Sequence, residues 1–210
     1  AVEVVRSVSG DAPVVLNTGP VADRGTLRQA VLSGADAVMV HGRSRSSGMH
    51  RRLVGTDPLG AVASLVRTVA RTRRPEDAPA PRLVVSGGFK DALEVVKAIA
   101  LGADLVVLGT APRIALGCTL CGDCGPGECP RVGQGLRAEG GRPDWRTQAE
   151  SLSAYLGRLT SRARELLAQM GCASVTEASP ANLEAYTYDA AAVTGVPLAG
   201  YGETLPMWLH

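Results

Sequence analysis

Two nearly identical words, Ser33-Gly34-Ala35-Asp36-Ala37-Val38-Met39-Val40 and Leu101-Gly102-Ala103-Asp104-Leu105-Val106-Val107-Leu108, constrain the fold more than any other feature of the chain. Each places a helix-stopping glycine before a short turn and then a run of β-forming apolar residues. Strands apolar on both faces belong to parallel sheets covered by helices. With similar runs elsewhere, strands are predicted at 14–17, 37–41, 83–86 and 105–108, and helices between them at 26–33, 59–72 and 91–101. Four βα units make half of a (β/α)8 barrel, and they also suit an open doubly wound sheet; the pattern alone leaves both open.

Composition narrows the class. At 210 residues the chain can bury a core without staples, and with 3% aromatic residues that core must be Val, Leu and Ala, as in tightly packed α/β layers. A net charge of +2, from 22 basic and 20 acidic residues, gives no nucleic-acid footprint of the usual size. No apolar run is long enough to span a bilayer, and the opening AVEVVRSVSG does not read as a signal peptide. The expected compartment is therefore the cytoplasm, without membrane contact, where clustered cysteines suggest a metal or catalysis before disulfides. The first residue is not Met and the opening reads as the end of a helix, so a processed product, a split-gene subunit or an excised fragment is expected.

Cys118, Cys121, Cys124 and Cys129 form C-x2-C-x2-C-x4-C, followed by Pro130. Thiolates this close can wrap one soft metal centre, and a single run ending in Cys-Pro favours iron–sulfur over zinc, which usually pairs two separated knuckles. Cys172 reads as a small core residue. Ser86-Gly87-Gly88 follows one strand and Gly109-Thr110 the next. A glycine in a βα turn often serves only the turn, yet glycines in two successive units can also present backbone amides to an anion such as a phosphate. His41 and His50, with Arg43, Arg45, Arg51 and Arg52, make either an anion-binding loop or a solvated basic one. Beyond the Gly-rich and Cys-rich segment 117–143, Trp145, Ala149, Leu152, Leu156, Leu159, Ala163, Leu166 and Met170 predict a helix whose seam packs on its own domain in preference to a self-associating coiled coil. The tail after Gly171 is uninformative alone.

The run RLVVSGGFKDALEVVKAIALGADLVVLGTAPRIALGC, then TLCGDCGPGECP, and the later YLGRLTSRARELLAQMGCASVTE, resemble the C-terminal half of the FMN-binding synthase domain of glutamate synthase and its shorter relatives. The resemblance is strong over 83–177 and looser before. It implies the C-terminal half of a (β/α)8 TIM barrel (1–117), a cluster loop (118–143) and a C-terminal helical extension (144–210). It implies FMN, its phosphate held by Ser86, Gly87, Gly88, Gly109 and Thr110. It also implies a 3Fe-4S centre on Cys118, Cys124 and Cys129, with Cys121 as an extra thiol that would make 4Fe-4S the alternative. The family reaction joins ammonia to 2-oxoglutarate as an imine, which reduced FMN converts to glutamate.

Three departures concern the substrate site. Asn17 stands where the family usually has a Lys, Arg43 to Met49 replace a Gly-Gly-Thr-Gly-Ala loop, and Pro130-Arg131-Val132-Gly133-Gln134 replace Pro-Val-Gly-Ile-Ala-Thr-Gln. The leading expectation is a glutamate synthase-like oxidoreductase completed by a partner chain carrying the first half of the barrel, with an electron donor or amidotransferase subunit as a further partner. A non-catalytic iron–sulfur electron-transfer or scaffold subunit is the alternative. A phosphate-binding barrel of the inosine monophosphate dehydrogenase type is a third, disfavoured by the four clustered cysteines.

Overall fold

The computed structural model describes residues 2–19, 24–41, 58–73, 79–120 and 145–201. Helix α1 (Val2–Ser9) precedes four βα units: β1 (Val15–Asn17) with α2 (Arg24–Val31), β2 (Ala37–His41) with α3 (Pro58–Arg71), β3 (Arg82–Ser86) with α4 (Ala92–Ala100), and β4 (Leu105–Val107) with the short α5 (Thr110–Ala115). The long α6 (Trp145–Gln169), two 3-10 turns and α7 (Tyr188–Thr194) follow. The predicted strands and helices are all present, with ends moved by a few residues.

Sheet order decides between the two architectures left open by the sequence. The four strands lie in the order β1-β2-β3-β4 and every pairing is parallel. Right-handed crossovers that always advance in one direction put every helix on the same face, whereas a doubly wound sheet reverses direction and is covered on both. Side-chain packing agrees. Leu16, Val38, Val40, Leu83, Val85 and Val106 point to one face and pack with Leu27, Val62, Leu65 and Ala98 of the helices. In register on the opposite face stand Val15, Leu105 and Val107, which remain 52%, 58% and 39% exposed. This is the layout of one arc of a TIM-barrel-like fold, with a filled helix layer and an inner wall open at its edges.

The repeated Gly-Ala-Asp words turn out to do two jobs. Gly34 and Gly102 take φ of +78° and +106° and end their helices, as expected. The aspartates then clamp the start of the neighbouring strand. Asp36 accepts from the Val14 amide at 2.7 Å and from Arg6 at 2.9 Å; Asp104 accepts from the Leu83 amide at 2.7 Å and from Arg82 at 2.9 Å. Two βα units thus repeat a hydrogen-bonding device as well as a turn.

The α6 seam is shifted from the sequence expectation. Leu152, Leu159, Ala163, Leu166 and Met170 are half-buried, but Trp145, Ala149 and Leu156 are exposed, and Tyr155 joins the packed face. The helix lies against α4 and α5, and the Tyr155 hydroxyl donates to the Lys90 carbonyl at 3.0 Å. Packing on its own domain is therefore the observed use of the seam. Cys172 is buried, as a small core residue should be.

Candidate functional site

The C-terminal ends of the strands bring together residues far apart in sequence. His41 pairs in register with Ser86, and Ser86 with Val107, so the ends of β2, β3 and β4 form one rim. After Ser86, Gly87 and Gly88 both take positive φ, +102° and +91°, a double turn that any side chain would strain. Gly109 differs. Its φ is −103° and a Cβ there would meet nothing within 4 Å, so neither backbone strain nor neighbouring protein requires glycine. Open space over β4 beside a residue with no side chain is what the close approach of a ligand to the backbone needs.

One amide of the first turn of α4, and the Lys90 amide before it, are already engaged. Asp91 accepts from the Glu94 amide at 2.9 Å and Glu94 accepts from the Lys90 amide at 2.8 Å, a reciprocal cap. An anion at this rim would be met by the Ser86–Gly88 turn, the Gly109-Thr110 turn and the remaining first amides of α4.

The Asn17 side chain is fixed by two partners that are themselves joined. Its Oδ1 accepts from the Gly19 amide at 2.9 Å and lies 2.9 Å from His41 Nε2, while the His41 amide donates to the Gly19 carbonyl at 3.1 Å. A carboxamide oxygen only accepts, so Nε2 of His41 carries the proton and Nδ1 is the ring nitrogen left for other partners. This pairing was invisible in the sequence, where Asn17 and His41 were read in separate motifs. Their shared position at adjacent strand ends is the signal that could have joined them.

Cys118 lies just past α5, partly exposed. Its amide donates to the Arg113 carbonyl at 2.9 Å and its sulfur accepts from the Arg113 guanidinium at 3.7 Å. Cys121, Cys124 and Cys129 lie outside the described residues, as do Arg43 to Met49, His50, Arg51, Arg52 and Pro130 to Gln134. Among the described residues no metal-ligand cluster occurs, and no helix is long and apolar enough to cross a membrane.

Comparison with known proteins supplies the decision. Residues 1–173 match the model of the conserved region in glutamate synthase. The chain belongs to the glutamate synthase family. It is 39% identical over 101 residues to an archaeal-type glutamate synthase (NADPH) of Dehalococcoides mccartyi, covering 47% of this chain and 20% of that protein. It is 27% identical over 219 residues to a glutamate synthase large subunit-like protein of Rhizobium meliloti, covering 90% of this chain and 47% of that one. Among solved structures, mandelate oxidase with (S)-2-phenylpropionate superimposes with a TM-score of 0.53 and 25% identity, covering 84% of this chain and 40% of that one. The chain therefore spans from about a fifth to about half the length of these relatives.

Proposed function

We propose that this chain is part of a glutamate synthase-like oxidoreductase using FMN and an iron–sulfur cluster, in which 1–117 forms half of a (β/α)8 barrel, 118–143 the cluster loop and 144–210 a helical extension. The observation that carries the reading is the rim itself: the Ser86–Gly88 turn and Gly109-Thr110 stand at the ends of adjacent parallel strands, with Cys118 one short helix further on. The residues suit a flavin phosphate, because the double glycine turn and the bare backbone at Gly109 permit close approach. Bound FMN would supply the hydride chemistry, and the chain would supply phosphate contacts and orientation. His41, held by Asn17, stands at the same rim, where its Nδ1, without a hydrogen-bond partner among the described residues, would face a substrate or cofactor. Cys118, Cys124 and Cys129 would hold a 3Fe-4S centre, with Cys121 converting the site to 4Fe-4S if it also ligates. The reaction proposed is reductive amination of a 2-oxo acid such as 2-oxoglutarate, completed by a chain that brings the first half of the barrel.

One observation favours the second reading, a non-catalytic iron–sulfur subunit. Asn17 carries no charge and its oxygen is occupied by the Gly19 amide and His41, so it offers no cation where the resemblance places a lysine.

The test is anaerobic purification of the chain alone and co-expressed with a family chain carrying strands one to four. Iron with a 3Fe-4S paramagnetic signal is expected in both preparations, with stoichiometric FMN only in the complex. Glutamate formation from ammonia and 2-oxoglutarate by the reduced complex establishes catalysis, whereas cofactor binding without turnover establishes the second reading. Stoichiometric zinc without iron overturns both. Cys118→Ser, Cys124→Ser or Cys129→Ser should each bleach the cluster, and Cys121→Ser only a 4Fe-4S one.

A further inference from the structure

The outer helix layer carries a second polar site, on the face of the sheet opposite the inner wall. Arg24 and Arg28, one turn apart on α2, and Arg67 and Arg71, one turn apart on α3, converge on a cavity of about 350 Å³ that also meets Ser64, Thr68 and Thr72. Each of Arg6, Arg82 and Arg162 has a carboxylate within 2.9 Å, but among the described residues none is paired with any of these four. Arg67 is partly buried, and burial together with Arg24 and Arg71 pulls its guanidinium below the ordinary arginine range. It is anchored rather than neutralised: one nitrogen donates to the Val193 carbonyl at 2.9 Å. The fold thus holds like charges together with no described counter-charge, a cost that an anion would relieve.

The donor set narrows the anion. Thr68 and Thr72 spend their hydroxyl protons on the carbonyls of Ser64 and Thr68, at 2.8 and 2.7 Å, so the arginines and Ser64 are the lining side chains left to donate. A guanidinium fork matches the oxygens of a phosphate bidentately. Four positive charges overmatch a dicarboxylate or a single phosphate, each of about two negative charges, and a diphosphate comes nearer to balancing them. The cavity has the volume of a small-ligand pocket.

We propose that the α2–α3 groove is a binding site for a diphosphate group, free or carried on a nucleotide. It stands independently of the flavin reading, because no residue of the strand-end rim contributes to it.

Calorimetric titration of the full chain, in the oligomeric state in which it purifies, uses inorganic pyrophosphate, ADP and orthophosphate at matched ionic strength. Pyrophosphate is expected to bind at one site per chain, at least tenfold more tightly than orthophosphate and more weakly as salt rises. ADP equal to pyrophosphate marks the diphosphate alone as the ligand; tenfold tighter ADP marks a nucleotide site. Arg28→Gln and Arg71→Gln, both exposed and so not expected to disturb folding, should each weaken pyrophosphate about tenfold, with circular dichroism confirming unchanged helix content. Arg162→Gln should change nothing. The proposal is overturned if pyrophosphate does not bind at low salt, if orthophosphate binds equally well, or if the two variants bind like the parent. It is also overturned if a hexaglutamate peptide binds more tightly than pyrophosphate with the same arginine dependence, since the groove is then a docking surface for an acidic segment.

Discussion

At the scale of single residues, Asp36 shows how much of the sheet depends on one carboxylate. The Val14 amide, and after it the Arg6 side chain, hold the Asp36 carboxyl below its ordinary range. A carboxyl with a lowered folded pKa binds fewer protons folded than unfolded at intermediate pH, so its contribution is fully present above the unfolded value of about 4 and is lost as pH falls through the folded one. Asp36→Asn should therefore be less stable than the parent at pH 7, with the gap closing as urea denaturation is repeated from pH 5 down to pH 3. A gap independent of pH would show that the carboxylate charge is not what Val14 and Arg6 use. The word Gly-Ala-Asp was legible in the sequence as a stop and a turn. The clamp was not, because the atoms it joins, such as Leu83 and Asp104, lie 21 residues apart and meet only once the strands pair.

At the scale of elements, the two copies of that word differ in one testable way. A Cβ on Gly34 would meet nothing within 4 Å, whereas one on Gly102 would lie 2.9 Å from a Val66 methyl of α3. Both glycines have positive φ, so alanine strains the backbone at either, and only at Gly102 does it also push two helices apart. Gly34→Ala is expected to cost roughly 1–2 kcal/mol, and Gly102→Ala roughly 2–4 kcal/mol. Equal losses in thermal or urea unfolding would mean that α3 yields freely around Val66. Period and breakers in the sequence were enough to locate these helices and strands. They were not enough to orient α6, whose seam is half-polar: Tyr155 packs because its hydroxyl has the Lys90 carbonyl to reach, and apolar Leu156 is left facing solvent. Hydropathy alone cannot rank a tyrosine with a partner above a leucine without one.

At the scale of the whole molecule, the strands supply a closed helix layer and an unfinished inner wall. Among the described residues β1 and β4 are each paired on one side only, so each presents a row of backbone groups to whatever lies beyond, and Val15, Leu105 and Val107 line the wall beside them. Edges of this kind template further pairing, and uncovered apolar strand faces favour association. The purified chain is therefore expected to give a mass above 21.7 kDa in size-exclusion chromatography with light scattering, and to form a defined complex when the chain carrying strands one to four is supplied. Hydrogen exchange locates the contact: amides of Val15–Asn17 and Leu105–Val107 should gain protection in the complex, while those of Arg82–Ser86, already paired on both sides, should change little. A homodimer closed through the same two edges would protect the same amides in the chain alone. A well-behaved monomer with slow exchange at both edges would show a self-sufficient open sheet, and the barrel-half reading would fall with it.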